Sequence, residues 1–142
     1  MTVASILADK GNKVITHGSD SSVLTVLDTL AVHKIGAIMI TKGNMEIEGI
    51  VSERDIVRAI ARDGVEIVNN SVSTIMTGNV ITCSESDTIN SVMEKMSAGR
   101  FRHLPVAKDG KLVGLISIGD VVKRKIEQIE QEAEAMREYI TQ

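Results

Sequence analysis

A chain of 142 residues, 43% hydrophobic and 25% charged, buries roughly 68–70% of its unfolded surface on folding and needs no disulfide or metal to do so. Its net charge of −3, from 16 basic and 19 acidic residues, excludes a general nucleic-acid binder, and with only Phe101 and Tyr139 as aromatics there is no stacking platform for bases. The single cysteine, Cys83, excludes an intrachain disulfide. The N-terminus lacks a signal-peptide apolar run, and no segment approaches the ~18 apolar residues of a membrane span, so a cytoplasmic protein without a membrane partner is expected.

Taken in order, the chain reads as one unit written twice. Val3-Ala4-Ser5-Ile6-Leu7 and Val72-Ser73-Thr74-Ile75-Met76 are similar lead-ins, each followed by a Gly-Asn pair, Gly11-Asn12 and Gly78-Asn79. Short strands at 14–16 and 80–82 come next, at an offset of 66. Helices follow, with Ser21 or Asp87 placed to cap the first turn. Val23, Val26, Leu27 and Leu30 share one helical face, as do Ile89, Val92, Met93 and Met96. Gly36 and Gly99 stand near the helix ends, as terminating glycines do. A second strand is expected at 37–41 and 103–107, with Pro105 marking a sheet edge or strand end because it has no N–H to donate. Lys42-Gly43-Asn44 and Lys108-Asp109-Gly110 carry turn chemistry, Asp-Gly being a strong hairpin signal. The third strand, 47–52 and 112–117, closes each unit, and by Gly49 and Gly114 the offset has slipped to 65.

Both closing strands end in Gly, two aliphatics, Ser, two variable residues and Asp: Gly49-Ile50-Val51-Ser52-Glu53-Arg54-Asp55 and Gly114-Leu115-Ile116-Ser117-Ile118-Gly119-Asp120. A second helix then begins, spanning 55–62 in the first copy. The polar stretch 63–71 reads as a linker. After the second copy, Val122, Ile126, Ile129, Ala133, Met136 and Ile140 recur at spacings of four and three. This stripe either lies back on its own domain or pairs with a second copy, and the heavy charge outside it favours a homodimer.

The tandem order, the two Gly-aliphatic-aliphatic-Ser-x-x-Asp motifs and Arg102-His103-Leu104-Pro105-Val106 together resemble the CBS domain, and the two copies resemble a CBS pair, or Bateman module. The resemblance implies an α+β fold with pseudo-two-fold symmetry. Its parts are domain 1 at 1–66, domain 2 at 67–126, and a helical extension at 127–142. It implies a regulatory module that binds AMP, ADP, ATP, NAD or S-adenosylmethionine in clefts between the copies and answers by a change of packing or assembly, passed on to a regulated partner protein. By resemblance, Asp55 and Asp120 take the ribose hydroxyls, and Ser52 and Ser117 face phosphate or ribose. Val14-Ile15 and Val80-Ile81 line the adenine pocket with main-chain groups. Gly36-Ala37-Ile38 and Arg102-His103-Leu104, with Pro105, come from the second strand.

The chemistry is coherent on its own terms. A carboxylate accepts from two adjacent hydroxyls, and a Ser at a helix N-terminus sits where an anion is favoured. Arg100, Arg102 and His103 add donors. The copies differ between Ser and Asp: Arg54 can reach a phosphate, whereas Gly119 lets a ligand approach the backbone, so two unequal sites are expected. Against this stands a plain alternative, a helix cap with an acidic third position, which needs no ligand. Arg54, Arg58 and Arg62 also fit a solvated stripe paired with Asp55 and Glu66. His17, His33 and Cys83 read as ordinary packing or surface residues, and no spacing matches a metal site. Ser117, His103 and Asp120 lack a Gly-x-Ser-x-Gly elbow, and there is no phosphate-binding Gly-rich loop, so no catalysis is expected. The rival function is a nucleotide-independent interaction module.

Overall fold

The computed structural model describes residues 1–141. The chain divides into two compact units. Of the described residues, one unit comprises 13–81 and 108–113, the other 1–12, 82–107 and 114–141. Each unit holds the lead-in of the other copy, and the first also takes in 108–113.

In the first of these units, β1 (Thr16–His17) runs parallel to β2 (Ala37–Lys42), which pairs antiparallel with β3 (Glu46–Ser52). The helices are α2 (Val23–His33) and α3 (Glu53–Asp63). Val23, Val26 and Leu30 of α2 meet Ile38, Ile40, Val51 and Ile56 in one buried core. The stretch expected to be a polar linker is a 3-10 turn, Val65–Asn69, whose Ile67 is buried in that core. Its three apolar residues, Val65, Ile67 and Val68, span only four positions, too short a run to show a helical or strand period. The lead-in of the second copy then docks here: Val72 is fully buried, its N–H donates to Ser21 O at 2.7 Å, and Val23 N–H donates to Asn70 O at 2.9 Å.

The other unit repeats this with the first lead-in. Helix α1 (Val3–Lys10) buries Val3, Ile6 and Leu7. Val3 N–H donates to Asp87 O and Ala4 N–H to Glu85 O, both at 2.9 Å. Helix α4 (Ile89–Gly99) and most of strand β4 (His103–Lys108) follow, and the second half of β5 (Lys111–Ser117), from Gly114, runs into α5 (Ile118–Thr141). Ile89, Val92, Met96, Leu104, Val106, Ile116 and Val121 are buried.

Several local expectations shift. The N-caps are Ser22 and Thr88, one residue beyond Ser21 and Asp87. Thr88 Oγ1 accepts from Ser91 N–H at 3.1 Å, while the Asp87 carboxylate accepts from Ser84 N–H at 3.0 Å. Thr88→Ala is therefore expected to cost about 1 kcal/mol in urea denaturation, and Thr88→Ser to restore it. The left-handed C-caps are Lys34 and Arg100, at φ 53° and 56°, not Gly36 and Gly99. Three residues join β2 to β3 and two, Asp109-Gly110, join β4 to β5. That extra residue accounts for the slip in offset.

No strand forms at 80–82. In the first copy Thr16 pairs with Met39 and His17 with Ile40. The counterparts are Thr82 with Pro105 and Cys83 with Val106, and only the latter forms. Pro105 stands inside β4 rather than at its end, but β4 is an edge strand, as one of the two expectations has it; with no N–H to donate, Pro105 stops the ladder there. Among the described residues no helix is long and apolar enough to cross a membrane.

Candidate ligand-binding junctions

Both Ser-x-x-Asp motifs lie where a strand turns into a helix. At the end of β3, Ser52 N–H donates to Asp55 Oδ2 at 2.8 Å and Asp55 N–H donates to Ser52 Oγ at 3.2 Å, a complete capping box. Glu53 N–H donates to Gly36 O at 3.0 Å, and Ala37 pairs with Ser52 across the ladder. Gly36 and Ala37 are thereby held against the junction. On the other side of β2, the half-buried Val14 and Ile15 lead directly into β1, whose parallel register sets Thr16 beside Met39 and His17 beside Ile40. Val14, Ile15, Gly36, Ala37, Ser52 and Asp55 thus gather at one end of one sheet. Arg54 is exposed on the first turn of α3 and has no ion pair among the described residues. The expected pairing of the arginine stripe with Asp55 and Glu66 is absent among these residues; Arg62 pairs with its neighbour Asp63 at 2.8 Å.

At the end of β5 the ring is tighter. Ser117 N–H donates to Asp120 Oδ2 at 2.8 Å, Ser117 Oγ donates to the same oxygen at 3.0 Å, and Asp120 N–H donates to Ser117 Oγ at 3.2 Å. Ile118 N–H donates to Arg102 O at 2.8 Å, as Glu53 does to Gly36. A further residue enters here that the motif does not name. Lys10 Nζ, at the end of α1, lies 2.7 Å from Asp120 Oδ2 and donates to Leu115 O at 2.9 Å. Desolvation pushes the Asp120 carboxyl up, but the bonds from Lys10 and Ser117 override it and hold it below the usual carboxylate range. At both junctions, Oδ1 of the aspartate has no hydrogen-bond partner among the described residues.

The remaining expected site residues divide. Ile38 and Leu104 are fully buried and Pro105 is buried, so their side chains belong to the interior. Arg100 is exposed and serves as the left-handed cap of α4. Arg102 is exposed and His103 half-buried at the start of β4. Val80 and Ile81 are grouped with the first copy's unit, not with Ser117 and Asp120. Gly119 is not needed by the fold, since a Cβ there would meet only Ser117 Oγ, at 3.6 Å. Burial pushes the Cys83 thiol up to about 11, with Asp87 adding and Lys95 opposing, which leaves it an unreactive packing group.

The chain is similar over nearly its whole length to known proteins. It is 29% identical to the mitochondrial CBS domain-containing protein CBSX3 of Arabidopsis thaliana, over 98% of this chain and 71% of that one. Its fold matches the CBS-domain protein ATU1752 of Agrobacterium tumefaciens at a TM-score of 0.85 and 45% identity, over 88% of this chain and 99% of that one. It also matches the CBS domain pair of protein MJ0100, solved with 5′-methylthioadenosine and S-adenosyl-L-methionine, at a TM-score of 0.80 and 27% identity, over 90% and 98%. The family model described as CBS domain matches residues 12–62 and again 72–127. With two matched copies and a solved fold in common, the chain belongs to the CBS-domain family and is a tandem pair.

Proposed function

We propose that this CBS pair is a regulatory module that binds an adenosyl ligand, of the class AMP, ADP, ATP, NAD or S-adenosylmethionine, and changes its packing or assembly when occupied. The observation that carries this reading is the likeness over 90% of the chain to the MJ0100 pair, which was solved with two adenosyl compounds. The junction chemistry supports it. An aspartate with one unpartnered oxygen takes a ribose hydroxyl, and the backbone edge at Val14, Ile15, Gly36 and Ala37 reads the purine. Arg54 supplies a cation for a phosphate. The Ser117 and Asp120 junction, with Arg102 and His103, forms the second and unequal site. There Lys10 competes for the carboxylate, and Gly119 leaves the backbone open at a cost of about 1 kcal/mol relative to alanine. The Asp55 junction, with all its residues in one unit, binds more tightly.

The test is a thermal-shift panel of these ligands together with 5′-methylthioadenosine. A ligand at a hundredfold excess over its Kd is expected to raise Tm by roughly 5–10 °C. Asp55→Asn keeps an acceptor for Ser52 N–H, so the cap survives, and is expected to weaken binding roughly tenfold or more. If no ligand moves Tm, the rival reading holds: a nucleotide-independent interaction module. That reading is favoured by one observation, that Ser52 and Asp55 complete a capping box whose members need no ligand.

A further inference from the structure

Helix α5 has 24 residues, about 36 Å of length, and only its start is occupied by its own unit. Val121 is buried, Arg124 donates to Ser5 O at 2.6 Å and pairs with Asp9, and Lys125 reaches Asn90 at 3.1 Å. The apolar stripe lies on a different face. Ile126 is 51% exposed, Met136 62% and Ile140 75%, and every residue from 130 to 141 is exposed. In heptad terms Ile126, Ala133 and Ile140 occupy a, and Val122, Ile129 and Met136 occupy d.

We propose that this stripe is covered by α5 of a second copy of the chain, parallel and in register. The flanking charges select that arrangement. In a parallel pair, g faces e of the following heptad on the partner helix. Lys125 then meets Glu130, and Glu132 meets Arg137, opposite signs at both levels. An antiparallel pair that overlaps along the same length sets Glu130 against Glu130, Glu132 against Glu132, and Lys123 against Arg137. A shift of one heptad removes these clashes but pairs only four of the six apolar positions. Only the parallel alignment satisfies the full stripe and the charges together.

Cysteine crosslinking tests this on the full chain. Ile126→Cys and Met136→Cys lie at exposed positions, and the buried Cys83 leaves the wild type as the uncrosslinked control. Under mild oxidation each variant is expected to crosslink to itself, with no 126-to-136 product in a mixture. A mixed product without self-crosslinking means an antiparallel pair and overturns the proposal. So does a monomer by sedimentation at about 100 μM, far above a typical micromolar dimer constant. Glu132→Arg is expected to weaken the dimer roughly fivefold, and adding Arg137→Glu to restore it. A dimer unmoved by the first change, or not restored by the second, also overturns it.

Discussion

Gly49→Ala is expected to destabilise the protein by about 2–3 kcal/mol and lower Tm by roughly 6–12 °C. A Cβ on Gly49 would stand 2.6 Å from Met76 Sδ and 2.9 Å from Thr77 O. The methionine tail can swing aside. The carbonyl cannot, because Thr77 exchanges two backbone hydrogen bonds with Ile50, each 3.0 Å. Gly114→Ala meets only the branch carbons of Leu7, at 2.8 and 3.0 Å. Those can rotate, so the expected cost is about 1 kcal/mol. Denaturation of the two variants side by side checks the order. Equal costs, or a neutral Gly49→Ala, would show that the pinned Thr77 carbonyl is not what excludes a side chain.

Leu7 and Met76 hold the same place in the two lead-ins. The glycine that opens each motif is therefore where a lead-in crosses the closing strand. The sequence repeats the glycine and the lead-in, yet its local spacing says nothing about which copy a segment docks on. The exchange shows only in backbone bonds, from Val3 to Asp87 and from Val72 to Ser21. By contrast, elements set by periodicity were legible to within a residue or two. Strand β2 was expected at 37–41 and runs Ala37–Lys42; α2 carries its expected face, with Val23, Val26 and Leu30 buried. Caps were harder to place, because Ser21-Ser22 and Asp87-Thr88 each offer two short oxygens in a row. The chain conformation, not the residue type, decides which one caps.

The candidate site divides in the same way. Ser52, Asp55, Ser117 and Asp120 announce themselves by a repeated motif. Gly36 and Arg102 come to the junctions through backbone bonds that a strand order implies. Lys10 could not be found from the motif. It lies 110 residues from Asp120 in sequence and stands on a second helical turn that the other lead-in, a three-residue 3-10 turn, does not have.

Asp120→Asn is expected to cost about 1–2 kcal/mol at neutral pH, and that cost is expected to vanish in acid. Asparagine keeps an acceptor for Ser117 N–H but loses the charge that holds Lys10. The sign follows from the depressed carboxyl of Asp120. A folded-state pKa below the unfolded one gives stability that is fully present above the unfolded value and is lost as pH falls through the folded value. The wild type and the variant should therefore differ at neutral pH and converge once the pH has fallen through the depressed folded-state value of Asp120. Asp87 adds a second acid-sensitive contact to the same unit: its carboxyl is lowered first by Ser84 N–H, against desolvation, and then by Lys95 at 3.4 Å. Asp120→Asn leaves that contact in place, so the difference between the two curves isolates Asp120. Lys10→Met should reproduce much of the loss alone and add little on top of Asp120→Asn, since both remove one interaction. Additive losses would mean that Lys10 stabilises α1 through Leu115 O rather than through the carboxylate. In that case Asp120 would be held by Ser117 alone, and a ligand at this junction would not have to displace a lysine.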